Sequence, residues 1–102
     1  MKGNFTDSQF ATLVEMFGEN NVRVNKAGNI TINPVFDNRP NTTYYVVYAY
    51  DDGYVVRRFI TNMWKARMPY ILFRDSNKTN GYGSALTFNA MIELFENYII
   101  NI

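Results

Sequence analysis

The residues best suited to binding or chemistry lie in the region 54–78, where cationic and aromatic side chains are interleaved. Cations that follow phosphates, together with rings that stack on bases, are typical of proteins that bind single-stranded nucleic acid. The same composition also describes core rings whose cationic neighbours lie along apolar surface with their charged ends in water. We expect the second arrangement, because the net charge is only +1 and no RNP-type or helix-turn-helix motif is present. The cations are Arg57, Arg58, Lys65, Arg67, Arg74 and Lys78, and the rings are Tyr54, Phe59, Trp64, Tyr70 and Phe73.

Two polar loops resemble ligand sites only in part. The segment 81–84, Gly-Tyr-Gly-Ser, precedes a predicted helix and could offer backbone amides to a phosphate, but Leu86 replaces the third glycine of a dinucleotide motif. The segment 75–80 begins like a calcium loop, yet Asn80 and Leu86 stand where that loop needs glycine and glutamate. We therefore predict no cofactor and no metal ion.

Catalysis is disfavoured by the composition, since the chain contains no cysteine and no histidine. A hydroxyl such as that of Ser84 would lack the imidazole that usually activates a nucleophile. The adjacent acids Asp51 and Asp52 belong to a predicted turn, and Glu93 and Glu96 to the predicted surface of a helix. We predict that the protein is not an enzyme and has no catalytic residues.

Length and hydropathy set the class of protein. A chain of 102 residues with 47% hydrophobic and 17% aromatic residues is expected to form one domain, 1–102, with a packed core. The first residues lack the apolar run of a secretory signal, and no apolar run approaches the ~20 residues of a membrane span. We expect a cytoplasmic protein with no membrane partner.

The elements that would position these residues are organised around a central hairpin. Two runs of β-branched and aromatic residues, 44–50 and 54–60, flank Asp51-Asp52-Gly53. If Asp52-Gly53 forms a two-residue turn, Tyr50 pairs with Val55 and Tyr48 with Arg57. Because successive side chains of a strand point to opposite sides, this pairing assigns each residue to one of the two faces of the sheet. The assignment depends on the position of the turn. One face holds Tyr45, Val47, Ala49, Val56, Arg58 and Ile60, and the other holds Tyr44, Val46, Tyr48, Tyr50, Val55, Arg57 and Phe59.

The remaining elements give an α+β fold class. Thr6 and Gln9 form a capping box that predicts a helix over 7–17, ended by Gly18. We predict an N-terminal helix, four to five mostly antiparallel strands in a meander centred on 44–60, and a C-terminal helix. The other predicted elements are a hairpin over 22–25 and 30–33, a strand over 70–73, a strand or short helix over 61–68, and a final helix capped by Ser84 with Phe88, Met91, Leu94, Phe95, Tyr98 and Ile99 on its apolar face.

The arrangement of the helices decides what the sheet exposes. If both helices pack on one face, the other face presents aromatic side chains, and such patches usually bind a partner. If each face carries one helix, the rings are covered. We predict a non-enzymatic protein-binding module, and no motif identifies its family. The predicted partner-binding residues are Tyr44, Tyr48, Tyr50, Arg57, Phe59, Trp64, Lys65 and Arg67.

Small size and an Asn-, Tyr- and Ile-rich composition suggest a phage or mobile-element inhibitor of a host factor such as a defence nuclease, an anti-CRISPR-like role. One alternative is a single-stranded nucleic-acid-binding protein that uses the region 54–78. A second alternative is a structural homo-oligomer, with a homodimer as the simplest form. Oligonucleotide affinity at two salt concentrations would separate the first alternative from protein binding.

Overall fold

A computed structural model describes residues 1–33, 43–60, 70–73 and 86–100, which form an α+β fold. A 3-10 turn, Glu19–Asn21, links the first helix to the first strand, and a π-helical turn, Glu96–Ile100, extends the last helix. The predicted order of helix, strands and helix is confirmed. In chain order the elements are α1 Asp7–Phe17, β1 Val22–Val24, β2 Ile30–Ile32, β3 Thr43–Tyr50, β4 Gly53–Ile60, β5 Tyr70–Phe73 and α2 Phe88–Phe95.

Helix α1 has the predicted bounds because local capping groups define both of its ends. The Thr6 hydroxyl accepts a hydrogen bond from the Gln9 amide at 3.1 Å, and the Gln9 side-chain oxygen accepts from the Thr6 amide at 3.0 Å. At the other end Gly18 adopts φ 95°, which a residue with a Cβ rarely adopts, and its amide donates to the Val14 carbonyl at 2.8 Å. The capping-box prediction is confirmed.

The sheet is an antiparallel meander in which the strand order is the chain order, β1-β2-β3-β4-β5. Val22 lies opposite Ile32, and Ile32 in turn lies opposite Tyr45, so the first hairpin extends the central one. The β4–β5 pairing is irregular between Val56 and Arg57. Each strand contacts its neighbour in sequence, which confirms the predicted meander.

The central hairpin corrects the predicted turn. Tyr50 lies opposite Gly53, so Asp51 and Asp52 form the turn and the glycine begins β4. The pairing therefore differs from the prediction by two residues, and Tyr48 lies opposite Val55. Gly53 has φ 143°, a positive value that glycine tolerates directly after a tight turn. Because side chains alternate with a period of two, this shift leaves the predicted faces unchanged.

Both helices pack on one face of the sheet, which decides between the two arrangements left open by the sequence. The side chains of the two helices join those of the first four strands in one buried cluster. The alternate residues of β3 and β4 do not belong to that cluster. Its members from these elements are Leu13, Phe17, Val22, Ile30, Ile32, Tyr45, Val47, Val56, Met91, Phe95 and Ile99.

Helix α2 begins later than predicted. The Thr87 hydroxyl accepts from the Ala90 amide at 3.1 Å, so Thr87 is the cap in place of Ser84. The residue before the cap is held in extended backbone, because the amides and carbonyls of Leu86 and Tyr54 exchange hydrogen bonds of 2.8 and 2.9 Å. A helix started at Ser84 would break this bridge. Met91, Phe95 and Ile99 are buried on the predicted apolar face.

Several predictions concern residues outside the described ranges. They concern the segment 61–68 and the loops 75–80 and 81–84, the second of which includes Ser84. The side chains of Arg58, Ile60 and Tyr98 are likewise outside the description. Within the described ranges, no helix combines the length and apolar character needed to cross a membrane.

Gln9 joins the start of α1 to β4, and its removal should be measurable. Besides completing the capping box, its Nε2 donates to the Tyr54 Oη at 2.6 Å. We expect Gln9→Ala to lower the free energy of unfolding by about 1–2 kcal/mol, because a cap and a part-buried hydrogen bond are lost. Urea denaturation measures the change. Ser8→Ala, at the exposed neighbouring position, is the control, and equal losses in the two variants would contradict the assigned contacts.

Candidate functional site

The candidate site is the face of β3 and β4 that points away from both helices, hereafter the outer face. It gathers the predicted partner-binding residues that lie on these strands, Tyr44, Tyr48, Tyr50, Arg57 and Phe59. Val46 and Val55 share this face by strand alternation. The other predicted binding residues, Trp64, Lys65 and Arg67, lie outside the described residues.

The rings of the outer face stack on each other in pairs. Tyr44 lies opposite Phe59, and their ring centroids are 5.1 Å apart with planes inclined by 9°. Tyr48 and Tyr50, neighbours on one face of β3, are stacked at 6.2 Å and 9°. Parallel rings as close as the first pair cannot lie side by side in one plane, so they overlap as an offset stack.

Arg57 lies at the centre of this face. Its guanidinium carbon is 5.3 Å from the centroid of the Tyr48 ring, within cation–π range. Because Arg57 pairs with Val46, Tyr48 lies along the strand between the arginine and Tyr50. The Arg57 Nε is buried and makes no hydrogen bond. A buried donor without an acceptor costs free energy, so this arrangement of Arg57 is unfavourable by itself.

The floor of the outer face is aliphatic. Val46 and Val55 are only 6% and 9% exposed, although both point away from the helices. Tyr44, Tyr48 and Phe59 are half-buried, whereas Tyr50 beside the turn is 49% exposed. On this face, short buried side chains therefore lie among half-buried rings.

The outer face continues from β4 and β3 onto β2 and β1 as a row of residues that lie opposite one another. Both charged residues in this row are arginines. Arg23 lies opposite Thr31, Thr31 opposite Val46, and Val46 opposite Arg57. At ~4.8 Å per strand, the two arginines are about 14 Å apart along this row. No residue of the five described strands is acidic. The electrostatic character of the described outer face is therefore positive.

Tyr54 does not belong to this site, although the sequence places it among the rings of the basic region. It lies opposite Ala49 on the helix side of the sheet, with ring centroids 5.7 Å from Phe5 and 5.4 Å from Phe88. Its hydroxyl accepts from Gln9. Tyr54 is thus a packing residue, which its even spacing from the buried Val56 already indicates.

Burial raises the pKa of Tyr48 above its ordinary value of 10.0, and the tyrosines Tyr50 and Tyr44 raise it further, while Arg57 lowers it. A proton held more tightly in the folded state stabilises that state fully below pH 10.0, and the contribution is lost as pH rises through the folded-state pKa. We expect the wild type to lose unfolding free energy more steeply than Tyr48→Phe above that pH. Urea denaturation between neutral and strongly alkaline pH measures the difference, and parallel profiles would contradict the raised pKa.

The sequence did not single out Arg23, Thr31 or the valines of the floor as parts of a binding surface. Strand alternation could have identified the valines, but the row to Arg23 requires the register of three strand pairs. Among the described residues, no group of three or more acidic side chains is placed to hold a metal ion. Comparison with family models, curated proteins and solved structures finds no match.

Proposed function

We propose that this protein is a non-enzymatic protein-binding module that holds its partner through the outer face. The observation that carries the proposal is the aromatic and aliphatic surface on the side of the sheet away from both helices. Tyrosine and arginine dominate the energetics of protein interfaces, and Tyr48 and Arg57 occupy the centre of this surface. Apolar surface of this kind usually marks a partner site.

The geometry of the rings favours protein over single-stranded nucleic acid. Bases stack on open ring faces, whereas Tyr44 and Phe59 turn their faces toward each other. Tyr48 is engaged by both Tyr50 and the Arg57 guanidinium. Rings that are already stacked on each other beside aliphatic side chains suit the apolar side chains of another protein. We keep nucleic acid as the competing outcome of the test.

A more specific proposal is that the protein acts in the cytoplasm as an inhibitor of the protein it binds. This more specific proposal rests on the amino-acid composition alone. A module that covers a surface of a host enzyme can block it by occupancy, with no bond made or broken. The outer face supports such binding but does not identify the target. Self-association through the same face is the other protein-level outcome.

Site-specific photo-crosslinking tests the proposal directly. A benzophenone amino acid at Tyr50, which is exposed on the outer face, should form adducts with a protein in nuclease-treated lysate of the native host. The matched control carries the same group at Ala11, an exposed position on α1. We expect a discrete protein adduct from position 50 that is absent from position 11.

Each other result counts against the proposal. An oligonucleotide adduct in untreated lysate, lost on nuclease treatment, would assign the face to nucleic acid. A crosslinked dimer of the chain alone would assign it to self-association. Identical adducts from positions 50 and 11, or none from either, would show that the outer face is not a selective protein-binding surface.

A further inference from the structure

Strand β3 extends beyond β2, its neighbour on one side. The register pairs Ile30, where β2 begins, with Val47. The next residues of β3 are Tyr48, Ala49 and Tyr50, and no residue of β2 lies opposite them, whereas β4 pairs with all three on the other side. The end of β3 that carries two tyrosines of the outer face is therefore paired with a strand on one side only.

An asparagine side chain takes the place of the missing strand. The Asn29 Oδ1 accepts a part-buried hydrogen bond from the Ala49 amide at 3.3 Å. Continuing the register by two residues would place Gly28 opposite Ala49, but both backbone groups of this glycine are used elsewhere. Its amide donates to the Asn25 carbonyl at 3.0 Å, and its carbonyl accepts from the Asn4 amide at 2.8 Å. The side chain of Asn29 thus supplies an acceptor in place of the β2 backbone.

Asn29 is itself held from two directions. Its backbone amide donates to the Asn25 Oδ1 at 3.0 Å, and its carbonyl accepts from the Asn25 amide at 2.8 Å. From the N-terminal segment, the Asn4 Nδ2 donates to the Ala27 carbonyl at 3.1 Å and to the Asn29 Oδ1 at 3.4 Å. Because the Ala49 amide is a donor, the side-chain atom that faces it must be the Asn29 oxygen. The acceptor is fixed in both position and orientation.

We infer that Asn29 is a positioning residue of the outer face, because its bond to the Ala49 amide fixes the backbone between Tyr48 and Tyr50. The Ala49 amide and the Tyr48 carbonyl belong to one planar peptide group, so a bond to the amide also orients Tyr48. The rings of these two tyrosines stack at 6.2 Å across the held residue. The consequence for partner binding rests on the proposed function, whereas the positioning itself does not.

Amide hydrogen exchange, followed by NMR, tests the bond between Asn29 and Ala49. The amide of Val47 is the internal reference, because Val47 lies opposite Ile30 and stays paired with β2. We expect Asn29→Ala to accelerate exchange at Ala49 about fivefold or more relative to Val47, since one hydrogen bond is lost locally. Asn29→Asp keeps a side-chain acceptor, so it should restore the ratio of the two rates to within about twofold of the wild type.

Asn21→Ala is the matched control, the same substitution at the open end of the first hairpin. The Asn21 Nδ2 donates to the Phe17 carbonyl at 3.0 Å, so stability is lost there without any change at β3. We expect its ratio of exchange rates to stay within about twofold of the wild type. Asn4→Ala leaves the acceptor present but less firmly held, and should raise the ratio by roughly twofold to threefold. This second variant tests the inference if Asn29→Ala fails to fold.

The ring signals of Tyr48 and Tyr50 report whether the bond positions the outer face. Stacked rings shift the resonances of each other's protons, so Asn29→Ala should move the ring signals of both tyrosines while Asn29→Asp and Asn21→Ala leave them in place. Equal acceleration at Ala49 and Val47 would overturn the inference, as would no acceleration. So would an aspartate variant as unprotected as the alanine variant, or a raised ratio with unchanged tyrosine signals.

Failure of this inference is distinguishable from failure of the proposed function, because exchange and ring signals are measured without a partner. With the benzophenone group at position 50, we expect Asn29→Ala to lower the adduct yield at least about threefold and Asn29→Asp to retain it. An unchanged yield in Asn29→Ala would show that binding does not need the positioned backbone, and the proposed function would stand. If the wild-type sequence gives no selective adduct, the proposed function fails, and the ratio of exchange rates still decides the role of Asn29.

Discussion

Replacing Phe95 with alanine is expected to lower the free energy of unfolding by about 3–5 kcal/mol, the typical cost of removing a fully buried phenylalanine. Phe95 is 0% exposed and joins three elements. Its ring packs edge-to-face with Phe17 of α1, at a centroid distance of 5.2 Å, and with Tyr45 of β3, at 6.3 Å. The substitution removes both ring contacts and leaves a cavity between the helices and the sheet.

Such a loss is large compared with the total stability of a small domain, which is about 5–15 kcal/mol. Urea denaturation followed by circular dichroism measures it. Ile100→Ala is the control, because Ile100 is 40% exposed in the turn that extends α2. We expect that control to change stability by less than about 1 kcal/mol. Comparable losses in the two variants would contradict the position of Phe95 at the centre of the core.

The same residue links the core to the proposed binding surface. Phe95 supports Tyr45 from the helix side, while Tyr44 and Val46, the neighbours of Tyr45 on β3, face outward. Both helices pack against the face of the sheet that carries Tyr45, and the proposed binding residues of β3 and β4 lie on the other face. The function proposed for the outer face therefore depends on the packing of the opposite face.

Local sequence signals were sufficient to predict the bounds of helix α1 and the faces on which the side chains of β3 and β4 lie. Thr6, Gln9 and Gly18 define the helix through hydrogen bonds and a backbone angle that involve near neighbours only. Alternation assigns the faces of β3 and β4 because a side chain cannot change face without a one-residue shift. Both kinds of signal are contained within a few consecutive residues, so the sequence predicts them correctly.

Register and helix start could not be predicted from local signals. A shift of two residues keeps every face unchanged, so the apolar pattern does not distinguish Tyr50 opposite Gly53 from Tyr50 opposite Val55. Ser84 and Thr87 are equally acceptable caps by residue type. The choice of Thr87 depends on the backbone bridge between Leu86 and Tyr54, which are distant in sequence.

The candidate site was predictable in part for the same reason. Alternation placed Tyr44, Tyr48 and Phe59 on one face, but only the packing of the helices shows that this face is the one they leave uncovered. The contact between Arg57 and Tyr48 is diagonal across two strands in the observed register, whereas the predicted register placed the two residues directly opposite each other. Non-local pairing was the missing information.

Tyr48→Ala is expected to weaken partner binding by about 2 kcal/mol or more, roughly 30-fold in Kd, the scale of an interface hot spot. The substitution removes the ring that stacks with Tyr50 and holds the Arg57 guanidinium. Because Tyr48 is half-buried, we expect a smaller loss of folding stability than for Phe95→Ala. Affinity is measured against the protein that crosslinks at position 50, and stability is measured by urea denaturation.

Tyr48→Phe provides the matched control, since it keeps the ring that Arg57 and Tyr50 contact and removes only the hydroxyl. If the ring is what organises the outer face, the phenylalanine variant should bind within a few-fold of the wild type while the alanine variant does not. Equal binding by all three proteins would show that the partner contacts another surface. An alanine variant that loses as much stability as Phe95→Ala would show that Tyr48 is a folding residue, and the outer face would lose its proposed centre.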